Sequence, residues 1–258
     1  GPTGSGKSAL ALELAEALAA AGRPAEILCA DSVTVYRGFD IGAAKPTPEE
    51  RARVPHHLLD LKEANESFTA GDFLAAADPL VAKLLAEGTI PIVVGGTGFY
   101  VRALLRGMAS GEENQEQAAI VKARLEERAK MEGYERLHQE LLEKDPGSAP
   151  TIHPNDHYRI IRALQAMELQ GKPWSEQNRA ARITAPRYEA AYFYLRLPKE
   201  ELHARIRART ARMLEQGLLG EVRALLAAGV SPAAKPMQSV GYRECLAFLG
   251  GDFPAGEL

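Results

Sequence analysis

The first eight residues, Gly1-Pro2-Thr3-Gly4-Ser5-Gly6-Lys7-Ser8, satisfy the pattern G-x-x-x-x-G-K-[ST] in full. Each position has a chemical reason. The glycines let the backbone wrap closely around phosphate oxygens and turn its N–H groups inward. A helix that starts at the end of the loop presents its positive pole to the same anion. Lys7 neutralises charge on the outer phosphate, and the Ser8 hydroxyl is placed to ligate Mg²⁺. The reading is a di- or triphosphate site with Mg²⁺; the plain alternative is a glycine-rich turn. The pattern by itself does not name a reaction, and its default occupant is a nucleoside triphosphate in a kinase or NTPase.

A second group bears on the choice. Asp31 follows the short apolar run Ile27-Leu28-Cys29-Ala30. Ligands of open α/β sheets sit beyond the carboxyl ends of the strands, so Asp31 is expected close to the phosphate loop. It could position a metal, act as a base toward an acceptor, or merely cap a turn.

These groups need a frame. Residues 7–20 read as a helix, with apolar positions at Leu10, Leu14, Ala17 and Leu18 and a stop at Gly22. Residues 25–30 read as a buried strand, 73–86 as an amphipathic helix ended by Gly88, and 90–94 (IPIVV) as another buried strand before Gly95-Gly96. Such alternation predicts a parallel sheet with helices on both faces. Beyond Gly107 the character changes. Residues 115–144 are charged and helical, and 156–170 form a helix capped by Asn155 or Asp156. Pro173 and Pro186 bound a polar connection, 192–197 (YFYLRL) reads as a returning strand, and 200–217 and 218–228 as closing helices. The simplest architecture is an α/β core of the P-loop NTPase-like kind from residues 1–105 and 186–258, with a helical lobe inserted at 106–185.

Composition places the chain among ordinary globular proteins, 46% apolar and 25% charged. No apolar run approaches the roughly 20 residues of a membrane helix, and no secretory signal is visible. The two cysteines, Cys29 and Cys245, carry no metal-site or disulfide spacing, which fits a reducing cytoplasm. His56-His57 and His153/His157 read as structural, because Pro154 interrupts the latter pair and no third ligand is apparent. The net charge of −3 conceals an asymmetry: residues 151–212 hold twelve Lys and Arg against six Asp and Glu, so the rest of the chain carries −9. A basic lobe on an acidic body suits a nucleic-acid partner, although such clusters are also common solvated faces. Within it, Arg159 and Arg162 share one face of the 156–170 helix and would grip phosphates or bases of a loop.

In order and spacing, several further segments resemble the tRNA dimethylallyltransferase (isopentenyl-diphosphate:tRNA transferase) family over nearly the whole chain. They are the phosphate loop, residues 31–42 (DSVTVYRGFDIG), Ala44-Lys45-Pro46, residues 55–60 (PHHLLD), residues 94–100 (VGGTGFY), His153-Pro154-Asn155-Asp156 leading into Arg159 and Arg162-Ala163-Leu164, and residues 240–244 (VGYRE). Two departures stand out. Val33-Thr34 occupy the place of the family's Met-Gln, so Thr34 would supply one hydrogen bond where the glutamine meets tRNA. The buried strand that ordinarily precedes such a loop and a basic tail after the last helix are also missing, which suggests a trimmed chain.

The resemblance implies transfer of a dimethylallyl group from its diphosphate to N6 of the adenosine beside the anticodon, position 37 of tRNA. The diphosphate is the leaving group, so loop N–H groups, Lys7, Mg²⁺ on Ser8, and Arg205 with Arg209 would stabilise the charge that develops. The arginines are four apart and so share a helix face, which alone would also suit a solvated surface. The adenine amine is a poor nucleophile, and Asp31 is the matching position for the base that takes its proton. Thr97 either hydrogen-bonds near the adenine or diphosphate or simply turns the chain. The adenine must leave its stack to react. Residues implied to touch tRNA are Asp31, Ser32, Val33, Thr34, Thr97, Tyr158, Arg159, Arg162, Gln238, Gly241, Tyr242 and Arg243. A monomer is expected. The rival readings are an ATP-dependent small-molecule kinase, a prenyltransferase acting on free adenine nucleotides, and a noncatalytic RNA-binding module.

Overall fold

The computed structural model describes residues 1–108, 115–183 and 186–251. The chain divides into two compact units, Gly1–Leu105 with Tyr188–Leu258 and Arg106–Arg187.

The first unit is built on a parallel sheet. Helix α1 (Lys7–Ala20) leads into β1 (Ala25–Cys29), and α2 (Pro48–Arg53) into the two-residue β2 (His56–His57). Helix α3 (Ala70–Ala86) precedes β3 (Ile90–Val94), which runs into α4 (Gly98–Arg106). The strand order is β2-β1-β3, parallel throughout, with Ile27 paired to both His56 and Ile92. Side chains of β1 alternate between two cores, as a two-residue period requires. Ala25, Ile27 and Cys29 pack with Ala11, Leu12 and Ala15 of α1. Leu28 and Ala30 join Phe73, Ala77 and Val81 of α3 on the opposite face. Both faces of the central strand are therefore covered, the usual condition of a parallel sheet. Gly95 is obligatory where β3 ends, because a Cβ there would stand 1.9 Å from the Ala30 carbonyl oxygen.

The second unit is helical: α5 (Gln115–Glu132), α6 (Tyr134–Lys144), α7 (His157–Gln170) and α8 (Trp174–Ile183). Apolar residues four apart build its core, with Val121, Leu125 and Ala129 on α5, Leu137 and Leu141 on α6, and Ile160 and Leu164 on α7. Gly133, at φ 83°, separates α5 from α6 within the charged stretch. Back in the first unit follow α9 (Lys199–Glu215), α10 (Leu218–Ala227) and α11 (Tyr242–Gly250).

Two expectations fail. The polar connection after Pro173 contains α8: the Pro173 carbonyl accepts the N–H groups of Glu176 and Gln177, so the proline opens a helix instead of breaking one. Residues 192–197 form no strand. A strand needs a hydrogen-bonded neighbour, and β1, β2 and β3 offer this segment none; Tyr192, Phe193 and Tyr194 stay exposed. The amphipathic helix read from Phe73 begins a turn earlier, where Thr69 and Asp72 cap each other's backbone N–H groups. Among the described residues, no helix is long and apolar enough to cross a membrane.

Candidate functional site

Residues 1–8 turn tightly into α1. Gly4 and Gly6 take φ values of 80° and 86°, the left-handed region open to glycine. No side chain caps α1, so its first N–H groups face outward for an anion. The Lys7 ammonium folds back 2.7 Å onto the Pro2 carbonyl. Ser8 is exposed at the first turn. Helix α9 packs over the loop: Ile206 Cγ1 would lie 3.1 Å from a Cβ on Gly4, and Arg205 Nη1 3.8 Å from one on Gly6. Arg205, half-exposed, also bonds Glu201 at 2.8 Å.

Asp31 stands just past the carboxyl end of β1. Its Oδ1 accepts the N–H groups of Val33 at 2.9 Å and Thr34 at 3.4 Å, an Asx turn that folds the chain back. Its Oδ2 accepts no hydrogen bond among the described residues and would lie 3.8 Å from a Cβ on Gly96. Thr97 closes the other side. Its N–H donates to the Ala30 carbonyl, and its Oγ1 accepts the Ser32 N–H at 3.0 Å, leaving the hydroxyl proton for another acceptor. Thr97 is therefore the turn residue that ties the ends of β1 and β3 together.

The charges of this group feel one another. Burial holds the Lys7 ammonium below its ordinary value, Arg209 adds repulsion, and Asp31 opposes both. Burial likewise lowers Arg209, with Asp31 pulling it back up and Arg212 adding to the depression. A carboxylate and two cations, Lys7 among them, thus act on one another beside the loop. This set can hold a polyanion and present a free carboxylate oxygen beside it. Mg²⁺ favours oxygen ligands and retains water, and an exposed Ser8 hydroxyl next to bound phosphates has the right chemistry. No group of three or more His, Cys, Asp or Glu that could hold a metal occurs among the described residues. The histidines are engaged otherwise: His57 bonds Glu26, His56 the Val54 carbonyl, and His157 stacks on Tyr134. A hollow of about 420 Å³ lined by Glu16, Glu26 and Arg53 lies at the opposite, amino-terminal end of β1, away from these charges.

Two of the residues expected to touch RNA have buried side chains. Thr34 is buried, 6% exposed, because the Asx turn directs it inward and its carbonyl accepts the Asp60 N–H. Tyr242, 1% exposed, packs on Phe39 and donates its hydroxyl to Glu221. Both side chains are buried in this structure. Ser32 and Val33 are half-buried beside Asp31; Gln238 and Arg243 are exposed, and Gly241 carries the φ of 95° that starts α11. Tyr158, Arg159 and Arg162 belong to the helical unit. Tyr158 is 75% exposed, Arg159 meets Asp156 at 3.4 Å, and Arg162 bonds Gln165 at 2.9 Å.

Two residues that support the site escaped the sequence reading. Lys45 is buried, with its ammonium on the Tyr36 carbonyl and on Asp40 and Asp60 at 2.8 and 2.5 Å. Glu221 of α10 accepts the N–H groups of Asp40, Ile41 and Gly42. Lys45 sits in the quoted Ala-Lys-Pro segment; Glu221 has no local signal, since its partners lie about 180 positions away.

The sequence model of the family described as IPP transferase matches residues 34–258. The chain belongs to that family. Among relatives, it is 46% identical to tRNA dimethylallyltransferase 1 of Trichlorobacter lovleyi, over all of this chain and 82% of that one. It is 47% identical to the tRNA dimethylallyltransferase of Syntrophobacter fumaroxidans, over all of this chain and 73% of that one. The crystal structure of the tRNA delta(2)-isopentenylpyrophosphate transferase of Staphylococcus epidermidis superposes with a TM-score of 0.64 at 33% identity, covering 98% of this chain and 80% of that one. A eukaryotic dimethylallyltransferase acting on tRNA superposes with a TM-score of 0.78 at 26% identity, covering 98% and 62%. This IPP transferase family chain therefore shares its fold with enzymes solved as tRNA prenyltransferases.

Proposed function

We propose that this chain is a tRNA prenyltransferase that moves a dimethylallyl group from its diphosphate to N6 of the adenosine beside the anticodon. One observation carries the chemistry: Asp31 engages only Oδ1 in its turn and keeps Oδ2 clear, while its carboxylate charge acts on Lys7 of the loop and on Arg209 of α9. The family relationship supplies the substrate class.

In the reaction, the adenine nitrogen forms a bond to the first carbon of the dimethylallyl group while that carbon's bond to the diphosphate oxygen breaks. The diphosphate departs with the electron pair. Negative charge therefore grows on the leaving group, where the N–H groups of the loop, Lys7, Arg205 and Arg209 stabilise it; such stabilisation is commonly the largest single catalytic term. The amine proton passes to the free oxygen of Asp31. Oδ1 stays on the Val33 and Thr34 N–H groups and keeps the carboxylate aimed. Mg²⁺ held by Ser8 and the diphosphate would add positive charge at the leaving group. The core is of the P-loop NTPase-like kind in this reading, with the loop serving a prenyl diphosphate in place of a nucleotide. Tyr158, Arg159 and Arg162 of the helical unit would contact tRNA, and so, separately, would Gln238 and Arg243 of the first unit.

Incubation with tRNA, dimethylallyl diphosphate and Mg²⁺, without ATP, is expected to yield isopentenylated adenosine in a nucleoside digest. An absolute requirement for ATP would point to a kinase instead, and modification of free adenine nucleotides with tRNA left untouched would point to the alternative acceptor.

A further inference from the structure

We propose that Glu221 is a positioning residue for the transfer step, the anchor that holds the segment Asp31–Lys45 as a preformed platform beneath the acceptor. The inference rests on the prenyl-transfer reading above. Three consecutive amide groups, of Asp40, Ile41 and Gly42, converge on the Glu221 carboxylate at 3.0, 2.7 and 3.3 Å, and the Tyr242 hydroxyl donates to it as a fourth partner. Successive N–H groups turned to one side form a concave anion seat. Here an internal carboxylate from another helix occupies it.

The seat is built to admit nothing else. A Cβ on Gly42 would stand 2.5 Å from the Tyr242 ring, so only glycine allows the ring to close over the turn. Phe39 packs against the same ring with centroids 4.8 Å apart. From the other side Lys45 ties Asp40 to the Tyr36 carbonyl and Asp60. The chain between these clamps and Asp31 is short and hydrogen-bonded as far as Arg37: Tyr36 N–H to the Val33 carbonyl, Asp60 N–H to that of Thr34, Leu61 and Lys62 N–H to that of Val35, and Arg37 N–H to that of Lys62. A shift of the Asp40–Gly42 turn therefore reaches the Asx turn of Asp31 through few soft torsions. Glu221 also joins α10 to the start of α11, so the exposed Arg243 is fixed relative to the same platform. The carboxylate touches neither the phosphate loop nor Asp31, which separates its role from binding of the donor.

The test measures transfer to tRNA in a single turnover, with the rate expressed per site that binds dimethylallyl diphosphate in the absence of tRNA. Glu221→Ala is expected to slow transfer about 100-fold, the scale of a displacement near 1 Å at a reacting group. The donor dissociation constant should stay within about twofold, because that interaction is remote from the seat. Glu221→Gln keeps one acceptor oxygen and should recover part of the rate, and Tyr242→Phe, which loses a single hydrogen bond, should lose least. Amide hydrogen exchange gives a readout that does not depend on turnover: Glu221→Ala should speed exchange at Val33 and Thr34 as well as at Asp40–Gly42. Unchanged exchange at Val33 and Thr34 would refute the platform, as would a transfer rate within about threefold of the wild-type chain, well short of the 100-fold scale above. Should the unaltered chain fail to prenylate tRNA while exchange behaves as described, the functional reading falls and the platform stands.

Discussion

Two turns, one in each unit, are folded by an aspartate, and they use it differently. After β1, Asp31 commits one carboxylate oxygen to the N–H groups of Val33 and Thr34 and keeps the other clear. After α6, Asp145 commits both. Its Oδ1 accepts the Gly147 N–H at 3.2 Å and the Ser175 hydroxyl at 2.6 Å, and its Oδ2 accepts the Ser175 N–H at 2.7 Å. Asp145 joins the end of α6 to the start of α8 and is 2% exposed. The same residue type is thus fully tied into the fold where both oxygens are engaged, and keeps an oxygen open for chemistry where only one is. In the α/β unit a buried ionic clamp, Lys45 on Asp40 and Asp60, holds loops, whereas ion pairs such as Lys122 with Glu126 lie on the surface of the helical unit.

The sharpest way to break this comparison is Asp31→Asn. The amide oxygen preserves the Asx turn but removes the base, so transfer should fall by about 10²–10⁴-fold with the fold retained. Rapid-quench measurement on tRNA checks the rate, and circular dichroism checks the fold. A rate near that of the parent chain would reduce Asp31 to the status of Asp145.

Asp145→Ala should have the opposite profile. It removes the acceptor of the partly buried Gly147 and Ser175 N–H groups and should cost about 1–3 kcal/mol of stability in denaturant titration, with the reacting groups untouched. Its pH dependence has a definite sign. Burial alone would raise the Asp145 carboxyl, but the Ser175 hydroxyl and N–H, with Ser148 and Gly147, outweigh it and hold the value below the ordinary one. The stabilisation is therefore complete above the unfolded carboxyl value of about 3.9 and is lost as the pH falls through the lower folded value. The stability difference between parent and Asp145→Ala chains should shrink across that acid range and be flat at neutral pH.

The smallest effect on the fold should come from Arg159→Ala. Its pairing with Asp156 is exposed and i,i+3 on the helix surface, worth between zero and about 1 kcal/mol. The consequence belongs to binding: the slope of log affinity for tRNA against log salt should fall by about 0.7 to 0.9 if one phosphate contact is lost. An unchanged slope in filter-binding titrations would confine Arg159 to a solvated face.

Local chemistry determined a good deal before any coordinate was known. The phosphate loop is contiguous, so its glycines, Lys7 and Ser8 declare themselves within eight residues, and the helix that must follow it has only short-range requirements. The strands 25–30 and 90–94 are short apolar runs closed by polar residues or glycine, and burial of both faces of β1 follows from that. The 156–170 helix and its cap at Asp156 were legible because a capping side chain acts on N–H groups only a few positions away.

What the sequence left open depends on distant partners. The 192–197 run has strand composition, yet a strand exists only where another backbone completes its ladder. Thr34 and Tyr242 have residue types that suit an RNA contact, but packing buried them, and a side chain's exposure is a property of everything around it. The grip of Glu221 on Asp40–Gly42 spans about 180 residues of intervening chain, and no local pattern encodes it. Residue types set which chemistry is available here; the three-dimensional closure of loops over one another decided which aspartate oxygens are engaged and which remain free.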